Sequence, residues 1–190
     1  MAGMDDDADP STTARDGLPV HLREVGPEDG PLLEDLFRSL SPQSIYNRFL
    51  APVRELDGTR VHALTHMDPC VEFAVAACRE IDGRERMLGV GRCHRVGAQE
   101  AELAIVVGDP WQRLGIGSLL LRRIVHRARE LDIRWFLSTV DPNNLPLLRF
   151  SEAVGFRGDL RYHSGLLWMR TDVQALFPPE ADWQDRTPRA

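Results

Sequence analysis

Two groups of residues have types and spacing suited to chemistry. The first is the run Gln112-Arg113-Leu114-Gly115-Ile116-Gly117-Ser118. It lies between a strand-like and a helical segment, where first-turn backbone N–H groups lack intrahelical partners and the helix dipole favours negative charge. Gly115 and Gly117 remove side chains that would hold a diphosphate away from the backbone. The N–H groups of Leu114 through Ser118 are the expected contacts, Gln112 or Arg113 can add side-chain ones, and Arg113 and Arg122 can reach further phosphates. Equally, two glycines can simply shape a tight strand-to-helix turn, since the run is neither a Walker loop nor a full G-x-G-x-x-G. The second group is Glu102, the single charge in A-E-L-A-I-V-V. Alternation puts it on one face with Ala104 and Val106. Partial burial there would raise its pKa and make it a better proton acceptor. The alternative is a solvated strand-start carboxylate, or one paired with an arginine.

Other candidates fit ordinary structural roles. Cys70, Cys78 and Cys93 are odd in number and lack C-x-x-C spacing, so they read as reduced thiols without a metal. Cys93 and His94 are neighbours on a strand and point to opposite faces, which argues against a nucleophile–base pair. His66 and His94 can line a site, but single histidines on a loop or hairpin are commonly structural. Asp141 before Pro142 reads as a turn former.

The elements that must position these groups are legible from periodicity. Val20 and Leu22 alternate in a first strand near 19–24. An amphipathic helix follows over P-E-D-G-P-L-L-E-D-L-F-R-S-L. Ser41-Pro42 supply an N-cap and a first-turn proline for a helix through Phe49. V-E-F-A-V-A-A-C-R-E-I and M-L-G-V-G-R-C-H-R-V pair across I-D-G-R as a hairpin. A strand over A-E-L-A-I-V-V-G leads into the glycine run. Ile116, Leu119, Leu120 and Ile124 recur at helical spacing beyond it. R-W-F-L-S-T-V-D is a strand, a helix over 144–154 stops at Gly155, and strands follow around 156–160 and 166–170. The order β-α-α-β-β-β-α-β-α-β-β makes an α+β fold rather than a repeated βαβ unit. Residues 1–17 read as a disordered acidic tail, 18–177 as one domain and 178–190 as a flexible tail that Trp183 can pin.

Composition narrows the functional class. The chain has 190 residues and a formal net charge of −6, which disfavours a broad nucleic-acid surface and favours a cationic partner. No apolar run is long enough to span a membrane, and the N-terminus is acidic where a secretory signal is basic, so the expected location is cytoplasmic. Every basic residue is Arg: the 23 Lys+Arg include no Lys.

Q-R-L-G-I-G between a strand and a helix resembles the Q/R-x-x-G-x-G/A signature of the GNAT acetyltransferases. D-P-N-N-L-P-L-L-R-F-S-E-A-V-G-F resembles that family's segment along the pantetheine arm of CoA, with Asn144, Gly155 and Phe156 at matching positions. The resemblance covers roughly residues 19–170. It implies the GNAT fold, a mixed, mostly antiparallel sheet of six or seven strands flanked by about four helices. It also implies acetyl-CoA as cosubstrate without a metal. The stretch Ala101–Gly117, with Ser41–Phe49 and Leu64–Pro69, further resembles bacterial protein-lysine acetyltransferases, whose catalytic Glu falls at Glu102. Backbone N–H groups near Val106 or Val107 would then bind the thioester oxygen. Many relatives carry a Tyr that protonates the leaving thiolate four residues before the Gly-Phe pair. Here that position is Ser151, counted with the cofactor-contacting residues, and no general acid is assigned. Tyr46 and Arg48 fall in the helix that covers the acceptor groove in many relatives.

Three readings follow: transfer of acetyl to a protein lysine, transfer to a small-molecule amine, and a non-catalytic acetyl-CoA sensor. Either a monomer or a homodimer is compatible with the sequence.

Overall fold

The computed structural model describes residues 12–156 and 158–177. Eight strands form one sheet: β1 (Thr12–Thr13), β2 (Pro19–Glu24), β3 (Glu72–Ile81), β4 (Arg84–Arg95), β5 (Glu100–Val107), β6 (Trp135–Val140), β7 (Gly158–His163) and β8 (Leu166–Asp172). Five helices accompany them: α1 (Gly30–Arg38), α2 (Pro42–Phe49), α3 (Gly58–Thr65), α4 (Ile116–Glu130) and α5 (Leu145–Ala153). The strand order is β1-β2-β3-β4-β5-β6-β8-β7. Every pairing is antiparallel except β5 with β6.

The turn chemistry accounts for the main hairpin. Asp82 and Gly83 take φ of 53° and 71°, the left-handed pair that matches the twist of two antiparallel strands. Ser41 caps α2 by accepting the Ser44 N–H at 3.2 Å. Alternation along β3 to β5 sends one set of side chains to each sheet face. Val75, Leu88 and Ala101 pack under α4 through Leu120 and Ile124. Ala74, Ala76 and Val90 pack under α1 through Leu33 and Leu36. The approach of α4 is close: a Cβ at Gly91 would stand 2.3 Å from Ile124 Cδ1. No described helix is long and apolar enough to cross a membrane.

Three differences from the sequence reading concern elements. Helix α3 is additional, capped by Asp57 accepting the Arg60 N–H at 2.8 Å. Its apolar positions are too few to signal a helix, and only packing on α1 reveals it. Strand β1 is the second difference, and the third is the boundary of the N-terminal tail. Thr12–Gly17 belong to the body: Ala14 is buried, and Asp16 binds the buried Arg79 through two oxygens at 2.8 and 3.1 Å. That bond holds the Asp16 carboxyl below the usual carboxylate range. Residues 1–11 and 178–190, with Trp183, lie outside the described residues.

An ionic network ties β2, β4 and the turn before α1. Arg23 binds the buried Asp29 at 2.7 Å and Glu85 at 2.9 Å, and His21 reaches Glu85 at 2.8 Å. The Arg23 hydrogen bond is the main cause pushing Glu85 down to about 2. For Asp29, burial pulls upward, but the Arg23 and Gly26 hydrogen bonds leave it lowered. Cys78 completes a cluster of possible metal ligands with His21 and Glu85. Burial pushes its thiol up to about 12, and Arg23 already occupies Glu85, so the cluster reads as an ion-pair network. A folded-state pKa depressed in this way stabilises above the unfolded value and loses that contribution as pH falls. Glu85→Gln is therefore expected to cost about 1 kcal/mol at pH 7, the upper end for a partly exposed pair. It should also flatten the loss of stability between about pH 4.5 and pH 2. Denaturant melts at stepped pH read both effects, and an unchanged acid limb would contradict this account.

Candidate active site

β5 organises the site because it outruns its parallel neighbour. It pairs with β6 only from Glu100↔Trp135 to Glu102↔Leu137, then continues to Val107 while the two strands part. A cavity of about 110 Å³ occupies the opening between Leu103–Ile105 and Ser138–Val140. The direction of the β5 backbone follows from three bonds. Glu100 C=O accepts from Val96 and Gly108 N–H donates to Leu88, both on the β4 side, whereas Gln99 C=O accepts from Trp135 on the β6 side. Alternation therefore aims the N–H groups of Ile105 and Val107 into the opening and that of Val106 at β4. Of the two valines considered from sequence, Val107 offers a donor. Both residues line the neighbouring cavity over the glycine run.

The glycine run opens α4. Gly115 is its N-cap at φ 84°, and Arg113 also takes a left-handed φ of 64°. The N–H groups from Arg113 to Gly117 have no partner among the described residues, so this run of donors is available to an anion. Ser118 differs from expectation: its N–H already donates to Gly115 C=O at 2.9 Å. A cavity of about 350 Å³ lies over the run, lined by Val107, Gln112, Arg113, Gly115, Ile116, Gly117, Ser118 and Asn144. A Cβ at Gly117 would stand 3.9 Å from the Phe150 ring and 4.0 Å from Val107, so the glycine leaves this wall open. Leu114 is turned into the core beneath.

Gln112 has a different task from the one expected. Its Nε2 donates to Val107 C=O at 3.2 Å and lies 3.3 Å from both Ser44 Oγ and Asp109 Oδ1, bracing the loop against α2. Burial alone would raise Asp109, but hydrogen bonds from Ser41 and Ser44 lower it. Arg122 does not line the cavity, and its guanidinium stands 5.7 Å from the Phe177 ring.

Arg15 is the residue that sequence reasoning missed. Its N–H donates to Leu114 C=O at 3.0 Å. Its side chain crosses the glycine run, with Cγ 3.6 Å from where a Gly115 Cβ would be. Thus a strap from the N-terminus adds a guanidinium to the wall of the cavity. The only sequence signal for it is the short β-branched pair Thr12-Thr13 before Ala14, hidden beside an acidic stretch.

On the far side of the opening, Glu102 lines a cavity of about 480 Å³ with Asp159, Arg161, Trp168 and Arg170. Glu102 is exposed, so of the two readings of the apolar run the solvated strand-start carboxylate holds. The strand is buried on its α4 face, and Glu102 is on the other. It pairs across the sheet with His94, whose Nδ1 is 3.8 Å from Glu72. His66 meets the tilted ring of His62 with centroids 3.8 Å apart and lines none of these cavities. Arg170 is held by Glu100 at 2.9 Å and lies over Trp135 at 3.7 Å.

The α5 segment forms the remaining wall. Asp141 accepts from the Asn143 N–H at 2.7 Å, the expected turn. Asn144 Oδ1 accepts the Leu147 N–H at 3.2 Å as the cap of α5, and Asn144 lines the cavity over the glycine run. Gly155 takes φ 82° at the helix end. Ser151 and Phe156 line the smaller cavity in the opening. Ser151 Oγ donates to Leu147 C=O at 2.9 Å, so its proton is committed to the helix.

Comparison with known proteins agrees with this geometry. Residues 33–156 match the acetyltransferase (GNAT) family, and the chain belongs to it. It is a GNAT-fold N-acetyltransferase, and the family in general uses acetyl-CoA. It is 28% identical over 146 residues to acetyltransferase PA5475 of Pseudomonas aeruginosa, covering 75% of this chain and 77% of that one. Among solved structures, the GNAT domain of S. lividans PAT superposes with a TM-score of 0.78 at 30% identity, covering 85% and 95% of the two chains. The cAMP-binding acyltransferase from Mycobacterium smegmatis shares the fold at 24% identity and a TM-score of 0.59. The match covers 90% of this chain and 50% of that one.

Proposed function

We propose that the protein binds acetyl-CoA over the Gln112–Ser118 run and transfers the acetyl group to a primary amine, a protein lysine, with Glu102 as general base. The observation that carries this reading is the arrangement along β5. One end of the strand leads into a row of unpartnered N–H donors, and Glu102 faces the cavity on the other side of the opening. Arg113 to Gly117 offer backbone N–H groups to the diphosphate and Arg15 a guanidinium. Asn144 flanks the pantetheine arm, and the Val107 N–H polarises the thioester carbonyl. Glu102 accepts the proton of an ammonium whose reference pKa is about 10.4. The lysine reading is supported by the resemblance of Ser41–Phe49 and Leu64–Pro69 to protein-lysine acetyltransferases and by the likeness to the GNAT domain of S. lividans PAT.

Release of free CoA from acetyl-CoA, followed with lysine-bearing proteins and with polyamines, amino acids and aminoglycosides, tests the function. Turnover confined to small amines would overturn the lysine acceptor. Arg15→Gln is expected to raise KM for acetyl-CoA by about tenfold, the loss of one charge-assisted contact worth about 1.4 kcal/mol, at unchanged kcat. An unchanged KM would remove Arg15 from the binding site.

A further inference from the structure

Arg48 of α2 is the one residue that lines all three cavities: the one over the glycine run, the one between β5 and β6, and the one that holds Glu102. Its position is secured from both sides. Ser41 caps the helix, and Ser44 meets the Gln112 brace. The guanidinium makes no hydrogen bond or ion pair among the described residues, and it stands 5.0 Å from the centroid of the Phe49 ring. Burial and then the nearby Arg92 push its pKa down to about 10 while Glu72 pulls it up, and it remains charged at neutral pH.

Among the described residues no carboxylate is within ion-pair distance of it. Arg92 and Glu72 are bound to each other at 2.7 Å, and Arg170 is bound to Glu100. Glu102, Asp159 and Arg161 face the acceptor cavity. A half-buried cation that no carboxylate bonds is available to an anion entering this junction.

The proposed reaction supplies one. The amine lone pair attacks the thioester carbonyl carbon, and the carbonyl π pair moves to oxygen. That pair then returns as the C–S bond breaks, leaving its electrons on sulfur as CoA thiolate, while the amine proton passes to Glu102 and solvent. An alkanethiol is a weak acid, and its thiolate is a better leaving group beside a fixed cation. Ser151 cannot serve the sulfur by proton donation, because its hydroxyl is committed to Leu147. We propose that Arg48, resting on the acetyl-CoA reading above, stabilises the departing thiolate electrostatically in place of a general acid.

Affinities of CoA and desulfo-CoA, which lacks the thiol, can be measured by calorimetry at pH 6 and pH 9 on wild type, Arg48→Gln and Arg48→Lys. In wild type, CoA should gain up to tenfold over desulfo-CoA between these pH values, the consequence of about one unit of thiol pKa depression. Arg48→Gln should lose that gain while still binding desulfo-CoA, which shows that it is folded. Its kcat should fall by about 10²-fold with KM for acetyl-CoA within twofold, and Arg48→Lys should recover part of both. Parallel pH responses of the two ligands in wild type, or a gain retained in Arg48→Gln, would overturn the inference. If neither ligand bound wild type, the acetyl-CoA reading would fail and the inference with it.

Discussion

Gly117→Asp is expected to abolish measurable acetyl-CoA binding while leaving the fold intact. Gly117 is the second residue of α4, where a carboxylate favours the helix dipole. Its Cβ would meet only ordinary van der Waals contacts at 3.9 to 4.0 Å. The ligand-free Tm should therefore hold or rise slightly. Binding is another matter, because the new carboxylate would stand where the unpartnered N–H groups of Arg113 to Gly117 receive the diphosphate. Two like charges about 4 Å apart at an effective dielectric of 20 repel by about 4 kcal/mol, close to a thousandfold in affinity. Calorimetry and a thermal-shift series with acetyl-CoA separate the two effects. Retained affinity at a normal Tm would contradict the assignment of the loop.

Glu102→Gln is expected to lower kcat with KM for acetyl-CoA unchanged, since Glu102 lines the acceptor cavity and not the one over the glycine run. General-base catalysis contributes about 10² to 10⁴-fold. The exposure of Glu102 places the expected loss near the lower figure, because solvent can reach the ammonium and take over part of the proton removal. Raising the pH should narrow the deficit by delivering more neutral amine. Undiminished turnover in the variant would exclude Glu102 as base and direct attention to His94, its cross-strand partner.

Much of the site was legible because its parts are local. The glycine run needs a left-handed residue, a helix start and a missing side chain, and these sit within a few positions at Gly115 to Gly117. Asn144 and Gly155 likewise carry their meaning as the two ends of one short helix. Helix α3 escaped because its stabilisation comes from contact with α1, not from its own periodicity. The burial of Glu102 stayed open because periodicity does not show where cover ends on the second face of the strand, which packs at Val106 but not at Glu102.

The sequence by itself determined the element order (apart from β1 and α3), the glycine turn that opens α4 and the family to which the chain belongs. Each depends on backbone preferences that act over one turn or one strand. Tertiary structure alone decided that β5 and β6 part after Leu137, that Val107 rather than Val106 offers its N–H to the opening, and that Arg15 and Arg48 arrive at its walls. Those facts depend on where a strand loses its neighbour and on side chains separated from the glycine run by about 100 and 65 residues. No local pattern encodes such meetings. The glycine run offers unpartnered N–H groups, and the fold brings Arg15 and Arg48 to the cavity over them.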